Sequence, residues 1–165
     1  MTRRKFLMGG AGLLGIAGIA GALQLKSTQN VNAAEGSFEI TKSDAEWRKV
    51  LGSAEFDVLR KEATERPHSS PLNKEKREGT FHCGGCDLPV YSSKAKYDSG
   101  TGWPSFYESL PDAIGTKEDN KLFATRTEVH CRRCGGHFGH IFNDGPQPTG
   151  KRHCLNGLAL KFQAI

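Results

Sequence analysis

At 165 residues the chain holds one ordinary domain plus an extension, with no room for two independent cores. Apolar residues make up 36% and charged residues 25%, which excludes a disordered, fibrous or multi-span membrane protein. The formal charge of +5 is gathered at one end, because residues 1–33 hold Arg3, Arg4, Lys5 and Lys26 and no acid, leaving 19 bases against 18 acids; a phosphate-neutralising surface is not indicated.

The N-terminus has the layout of an export signal. Thr2-Arg3-Arg4-Lys5-Phe6-Leu7 is a basic head before an uncharged run from Leu7 to Leu23, 17 residues with six glycines. A membrane span needs roughly 20 apolar residues, so a cleavable signal is expected rather than an anchor. Val31-Asn32-Ala33 offers an A-x-A-like cleavage site before Ala34, and Arg3-Arg4 followed by Lys-Phe-Leu looks like the twin-arginine export motif. A retained anchor, or a Sec-type signal with a chance arginine pair, is the plainer alternative. The expected organisation is a twin-arginine export signal over 1–33 and a folded domain over 34–165, delivered to the periplasm or cell envelope.

Two helix signals open the domain. Ser43-Asp44-Ala45-Glu46 has capping-box spacing, with Trp47, Val50 and Leu51 at helical intervals behind it, and Ser53 starts a second pattern with Phe56 and Leu59. Residues 65–79 are polar, contain Pro67 and Pro71, and read as an exposed connection. From Thr80 onward the pattern predicts short strands over 79–83, 89–92, 121–131, 137–142, 151–156 and 158–163. The last alternates Leu158, Leu160 and Phe162 against Ala159, Lys161 and Gln163. The expected fold is mainly β, an antiparallel sheet or barrel with a helical preface.

Cys83-Gly84-Gly85-Cys86 and Cys131-Arg132-Arg133-Cys134 are two C-x-x-C pairs 44 residues apart, each just past a predicted strand. A two-residue spacer brings both thiolates of a knuckle to one ion, and four thiolates make a closed structural Zn²⁺ site. The rival is disulfide or thioredoxin-like redox use, which an extracytoplasmic address makes more credible. Against it, neither pair opens a helix after a βα pattern.

The fifth cysteine, Cys154, stands alone in Arg152-His153-Cys154-Leu155-Asn156. On a strand Arg152, Cys154 and Asn156 share a face, and a guanidinium two residues away favours the reactive thiolate. His137-Phe138-Gly139-His140 offers two imidazoles able to pass protons near neutral pH. A buried filler role for Cys154, and a structural or metal-binding role for the histidines, fit these residues as well.

Cys83-Gly84-Gly85-Cys86, then Tyr97-Asp98-Ser99-Gly100-Thr101-Gly102-Trp103-Pro104-Ser105-Phe106, then Thr127-Glu128-Val129, His137-Phe138-Gly139-His140-Ile141-Phe142-Asn143-Asp144-Gly145-Pro146 and Arg152-His153-Cys154-Leu155-Asn156 occur in one order. Over roughly residues 41–165 this resembles the B-type peptide methionine-R-sulfoxide reductases, enzymes that repair oxidised proteins. The resemblance implies two small antiparallel sheets with short N-terminal helices. It places Cys154 at the nucleophile, His140 and Asn156 beside the substrate sulfoxide, and Trp103, with Phe106 and His137, in the substrate pocket. Cys83, Cys86, Cys131 and Cys134 fall at the structural zinc ligands. Thr101 stands where many members carry a second, resolving cysteine. The expected cycle therefore ends on a Cys154 sulfenic acid that an external thiol, thioredoxin-like or other, reduces directly. From another class, a zinc-ribbon binding module without catalysis is the alternative; the near-neutral domain charge and the setting of Cys154 count against it.

Overall fold

The computed structural model describes residues 38–122 and 124–165; the expected signal and its cleavage site lie outside them. Helix α1 spans Asp44–Val50 and carries the expected capping box, with the Ser43 hydroxyl accepting from the Glu46 N–H and the Glu46 carboxylate from the Ser43 N–H. Helix α2 spans Ser53–Lys61 and buries Phe56, Val58 and Leu59, while α1 buries only Trp47.

Among the described residues nine strands follow: β1 Gly79–Cys83, β2 Pro89–Ser92, β3 Lys96–Tyr97, β4 Ser105–Phe106, β5 Ile114–Asp119, β6 Arg126–Cys131, β7 His137–Phe142, β8 Arg152–Leu155 and β9 Leu160–Ala164. They form two antiparallel sheets, one of three strands in the order β2-β1-β9 and one of six in the order β3-β4-β8-β7-β6-β5. The expected strands at 79–83, 89–92 and 137–142 stand as predicted. The run expected at 121–131 begins only at Arg126, which pairs with Asp119 at the end of β5. β9 starts at Leu160, since Gly157–Ala159 closes into a 3-10 turn; Leu160 and Phe162 still face inward while Lys161 is exposed.

The sheets close over Phe81, Val90, Tyr91, Phe106, Val129, Phe138 and Leu155, all fully buried. Phe106 lies against Tyr91 with ring centroids 4.6 Å apart and against Phe81 at 4.9 Å. Each such side chain withdrawn from water contributes roughly 1.5–3 kcal/mol, so this cluster is the main support for the sheet that carries β8. Phe106 is thereby removed from the expected substrate wall. Its strand pairing with His153 turns the ring inward, and hydrophobic burial there outweighs any gain at the surface.

Candidate active site

β8 lies between β4 and β7, so Cys154 is paired with Ser105 on one side and His140 on the other. The approach of β7 is close enough that a Cβ at Gly139 would sit 2.0 Å from the Cys154 carbonyl oxygen. Only glycine fits there. Cys154 itself is half-buried and lines a cavity of about 140 Å³ together with Thr64, Trp103, Arg126, His140 and Asn156. The cysteine is therefore neither sealed in the core nor a member of the other cysteine group.

Trp103 sits in the loop between β3 and β4, and its indole Nε1–H donates to the Glu65 carbonyl at 3.1 Å. The Asn156 amide is oriented from both ends: Oδ1 accepts from the Glu65 N–H at 2.9 Å and Nδ2 donates to the Phe138 carbonyl at 3.0 Å. One Nδ2 hydrogen is left for a ligand. The Thr101 hydroxyl lies 3.8 Å from the Cys154 sulfur and is linked to Ser99 at 2.8 Å, which in turn meets the buried Ser105 hydroxyl at 2.7 Å.

His140 and His137 are three residues apart on β7 and would point to opposite faces of a regular strand. A register shift opposite Val129 and His130 leaves one β7 residue unopposed, and the rings end 5.6 Å apart. His140 Nε2 is 2.7 Å from Asp119 Oδ2, which also accepts from Arg126 at 2.6 Å. Burial lowers the His140 pKa, only partly offset by the Asp119 hydrogen bond. The hydrogen bond from His140, with further help from the Lys121 amide and Arg126, holds Asp119 well below the usual carboxylate range. His137 is buried, with Nδ1 2.7 Å from Glu128 Oε1, and stands behind His140 rather than on the cavity wall. Burial pushes the Glu128 carboxyl up, yet hydrogen bonds from His130 and His137 outweigh it and hold the group ionised.

Arg152 keeps its place beside Cys154 in sequence, but its guanidinium grips Asp144 with two bonds of 2.9 Å and lies over the Phe142 ring. The charge expected to act on the thiol is thus shared with a carboxylate. Thr64, Asp119 and Arg126 were not anticipated. Asp119 ends a mostly polar strand with no alternating pattern, and Arg126 and Thr64 become site residues only through tertiary contacts.

The other four cysteines meet at one point. Sulfurs of Cys83, Cys86, Cys131 and Cys134 all lie within 4.8 Å of one another, Cys83 to Cys134 at 3.7 Å and Cys86 to Cys131 at 3.5 Å. The two knuckles have the same backbone: Cys83 C=O accepts from Asp87 N–H and Cys131 C=O from Gly135 N–H, both at 2.9 Å, with left-handed φ of 60° at Asp87 and 66° at Gly135. A tetrahedron with metal–sulfur bonds of about 2.3 Å has edges of about 3.8 Å, close to these separations. Neighbouring sulfurs and burial push the Cys83 and Cys134 thiols up, while hydrogen bonds from the neighbouring sulfurs push Cys86 and Cys131 down. The four residues fit a thiolate-bound metal ion. Close contacts run between the knuckles, so all four sulfurs form one group, which does not suit two separate redox dithiols.

A solitary thiol in a cavity, together with a separate four-sulfur clamp suited to a metal ion, defines a cysteine-centred domain with a candidate metal site. The SelR domain model matches residues 51–164, and the chain belongs to that family. It is 48% identical over 125 residues to the peptide methionine sulfoxide reductase MsrB of Methanosarcina barkeri, covering 75% of this chain and 88% of that protein. The protein of the same name from Leifsonia xyli is 47% identical over 135 residues, covering 81% and 97%. That from Pseudomonas entomophila is 49% identical over 126 residues, covering 76% and 96%.

Proposed function

We propose that this protein is a peptide-methionine (R)-S-oxide reductase, returning oxidised methionine in proteins to methionine. The observation that carries the reading is the separation of sulfurs: Cys154 lines a cavity, and the other four cysteines are gathered around one point. Trp103 packs the substrate's S-methyl group by apolar contact, and the free Nδ2–H of Asn156 donates to the sulfoxide oxygen. As sulfoxide sulfur is a stereocentre, one such pocket serves one epimer.

The reaction balances on a single thiol proton. Cys154 gives its proton to His140, and the resulting imidazolium passes it to the sulfoxide oxygen as the thiolate attacks sulfur. The attack joins the two sulfurs; that bond and the substrate S–O bond then break as the protonated oxygen passes to the Cys154 sulfur, and the products are methionine and Cys154 sulfenic acid carrying that proton. His140 Nε2 is engaged by Asp119, so the transferred proton moves through Nδ1. The carboxylate holds the ring and steadies the imidazolium. Two external thiols then convert the sulfenic acid to thiol and water and leave as a disulfide, since Thr101 offers no sulfur. A thioredoxin-like protein or a small thiol supplies them.

The ion at Cys83, Cys86, Cys131 and Cys134 is zinc in this reading, a closed S₄ set that supplies folding energy and no chemistry. The Arg3-Arg4 head suits twin-arginine export, which carries folded cargo, so the clamp would be loaded before the thiols meet an oxidising compartment. Fractionation of cells expressing the Arg3→Lys, Arg4→Lys double variant tests this: export unaffected by the change would remove the twin-arginine proposal. The function itself is tested with separated R and S methionine sulfoxide and dithiothreitol. Reduction of R alone, abolished in Cys154→Ser, is expected; equal turnover of both epimers, or an active Cys154→Ser chain, would refute it.

A further inference from the structure

We infer that Glu65 is a positioning residue of this site, holding Trp103 and Asn156 in register from outside the cavity. The inference rests on the reductase reading above. Residues 65–79 read in the sequence as an exposed connection, yet Glu65 is only 8% exposed and is the point where four ties converge. Its backbone N–H donates to Asn156 Oδ1 at 2.9 Å, and its carbonyl accepts from the Trp103 indole at 3.1 Å. Its carboxylate accepts from the Gly157 N–H and, at 3.2 Å, from the Leu158 N–H. Those two amides open the 3-10 turn that follows Asn156 directly.

The geometry is a triangle. The Glu65 main chain sets the indole plane of Trp103 and one end of the Asn156 amide, while its side chain pins the backbone from which Asn156 projects. The same connection holds the Trp103 loop further on, with His68 N–H at 2.7 Å and Asn73 Nδ2 at 2.9 Å from the Gly102 carbonyl. Space at the turn is minimal, as a Cβ on Gly157 would lie 1.9 Å from Ser70 Oγ and 3.2 Å from Glu65 Oε1. No Lys or Arg among the described residues pairs with the Glu65 carboxylate, and burial raises its pKa against the pull of the two amides. A buried carboxylate without a cation is costly to keep, and a neutral side chain could fill the space. What the carboxylate adds is two charge-assisted bonds of fixed direction at the residue beside Asn156. A turn cap of purely structural value would show itself in stability. A positioning role shows itself in substrate handling.

The test compares the parent chain, Glu65→Ala and Glu65→Gln. A methionine-R-sulfoxide peptide with dithiothreitol gives kcat and KM, and alkylation by iodoacetamide gives the reactivity of Cys154, which needs neither Trp103 nor Asn156. Glu65→Ala is expected to lose about tenfold or more in kcat/KM, mainly through KM, with alkylation within about twofold of the parent. Glu65→Gln keeps an acceptor for Gly157 N–H and is expected to lose about threefold. A Glu65→Ala chain within about twofold of the parent in kcat/KM, or one whose alkylation falls equally, overturns the positioning role. Should that variant not fold, Glu65→Gln decides on the same readouts: a threefold loss in kcat/KM with alkylation unchanged supports the role, and no loss or a matched loss overturns it. An inactive parent chain would instead overturn the reductase reading and this inference with it.

Discussion

The Thr101 hydroxyl oxygen lies 3.8 Å from the Cys154 sulfur, with no backbone between them. A thiol at this position would be within reach of the sulfenic acid, whereas the hydroxyl, linked to Ser99 at 2.8 Å, offers hydrogen bonds and no sulfur to form a disulfide. Thr101→Cys is therefore expected to form an intramolecular disulfide with release of water after one turnover, seen as a mass loss of two hydrogens against the reduced dithiol chain. The parent chain should yield an adduct with dimedone and no internal disulfide. A parent disulfide after one turnover would show that another cysteine resolves the oxidised sulfur and that the metal clamp opens during the cycle.

The contrast between Thr101 and Glu65 shows what the residues alone could reveal. Cys83, Cys86, Cys131, Cys134 and Cys154 sit in patterns with their own chemical logic, and the strand carrying His137 and His140 has an apolar texture that marks its bounds. β5 was missed because its four central residues, Gly115–Glu118, are exposed or half-exposed and show no alternation. β3 and β4 have two residues each and exist only by pairing with neighbours. Phe106 resembles a pocket aromatic in its motif, but its inward side is set by register with His153. Glu65 reads as a solvated acid, since the amides that bury it come 92 and 93 residues later. Local pattern exposes ligands and strands; tertiary contact decides which polar residue is enclosed.

The cysteine clamp joins the two sheets, because Cys83 ends β1 in the smaller sheet and Cys131 ends β6 in the larger. Structural zinc binding is worth about 10–16 kcal/mol, comparable with the whole stability of a domain, about 5–15 kcal/mol. Removing the ion should therefore unfold the chain rather than merely inactivate it. Calorimetry with metal analysis is expected to show the cooperative transition lost on chelation and in Cys131→Ser, and restored by Zn²⁺ in the parent alone. A metal-free chain melting within a few degrees of the loaded one would refute the structural role.

His153 faces the core beside Cys154, where Tyr91 Oη lies 3.0 Å from its Nδ1, and burial pushes its pKa down to about 4. In the unfolded chain it titrates near 6.5, so between those values only the unfolded state takes up the proton. Stability from this group is full above pH 6.5, falls as the pH drops, and levels off below about 4, with a total of roughly 3 kcal/mol. Denaturant midpoints measured from pH 7 to 4 should fall less steeply in His153→Gln than in the parent. Equal slopes would mean that the imidazole is protonated in the folded state as readily as outside it.

In the proposed cycle Asp119 acts through its hydrogen bond with His140. The proton that reaches the sulfoxide is the one Cys154 shares with His140, so kcat/KM must decline at alkaline pH as that pair loses it; burial disfavours the imidazolium partner and Asp119 partly restores it. In Asp119→Asn the supporting charge is gone and Arg126, released from its 2.6 Å partner, disfavours the imidazolium further. The alkaline limb of the profile should then move to lower pH. Loss of a positioned general acid costs about 10²–10⁴-fold, so His140→Gln is expected to fall within that range. Arg126→Gln separates the two effects: it removes a repelling charge near the imidazole while keeping Asp119, so its limb should shift toward higher pH. A profile unchanged in all three variants would mean that the proton reaches the sulfoxide oxygen from solvent and that His140 only shapes the cavity.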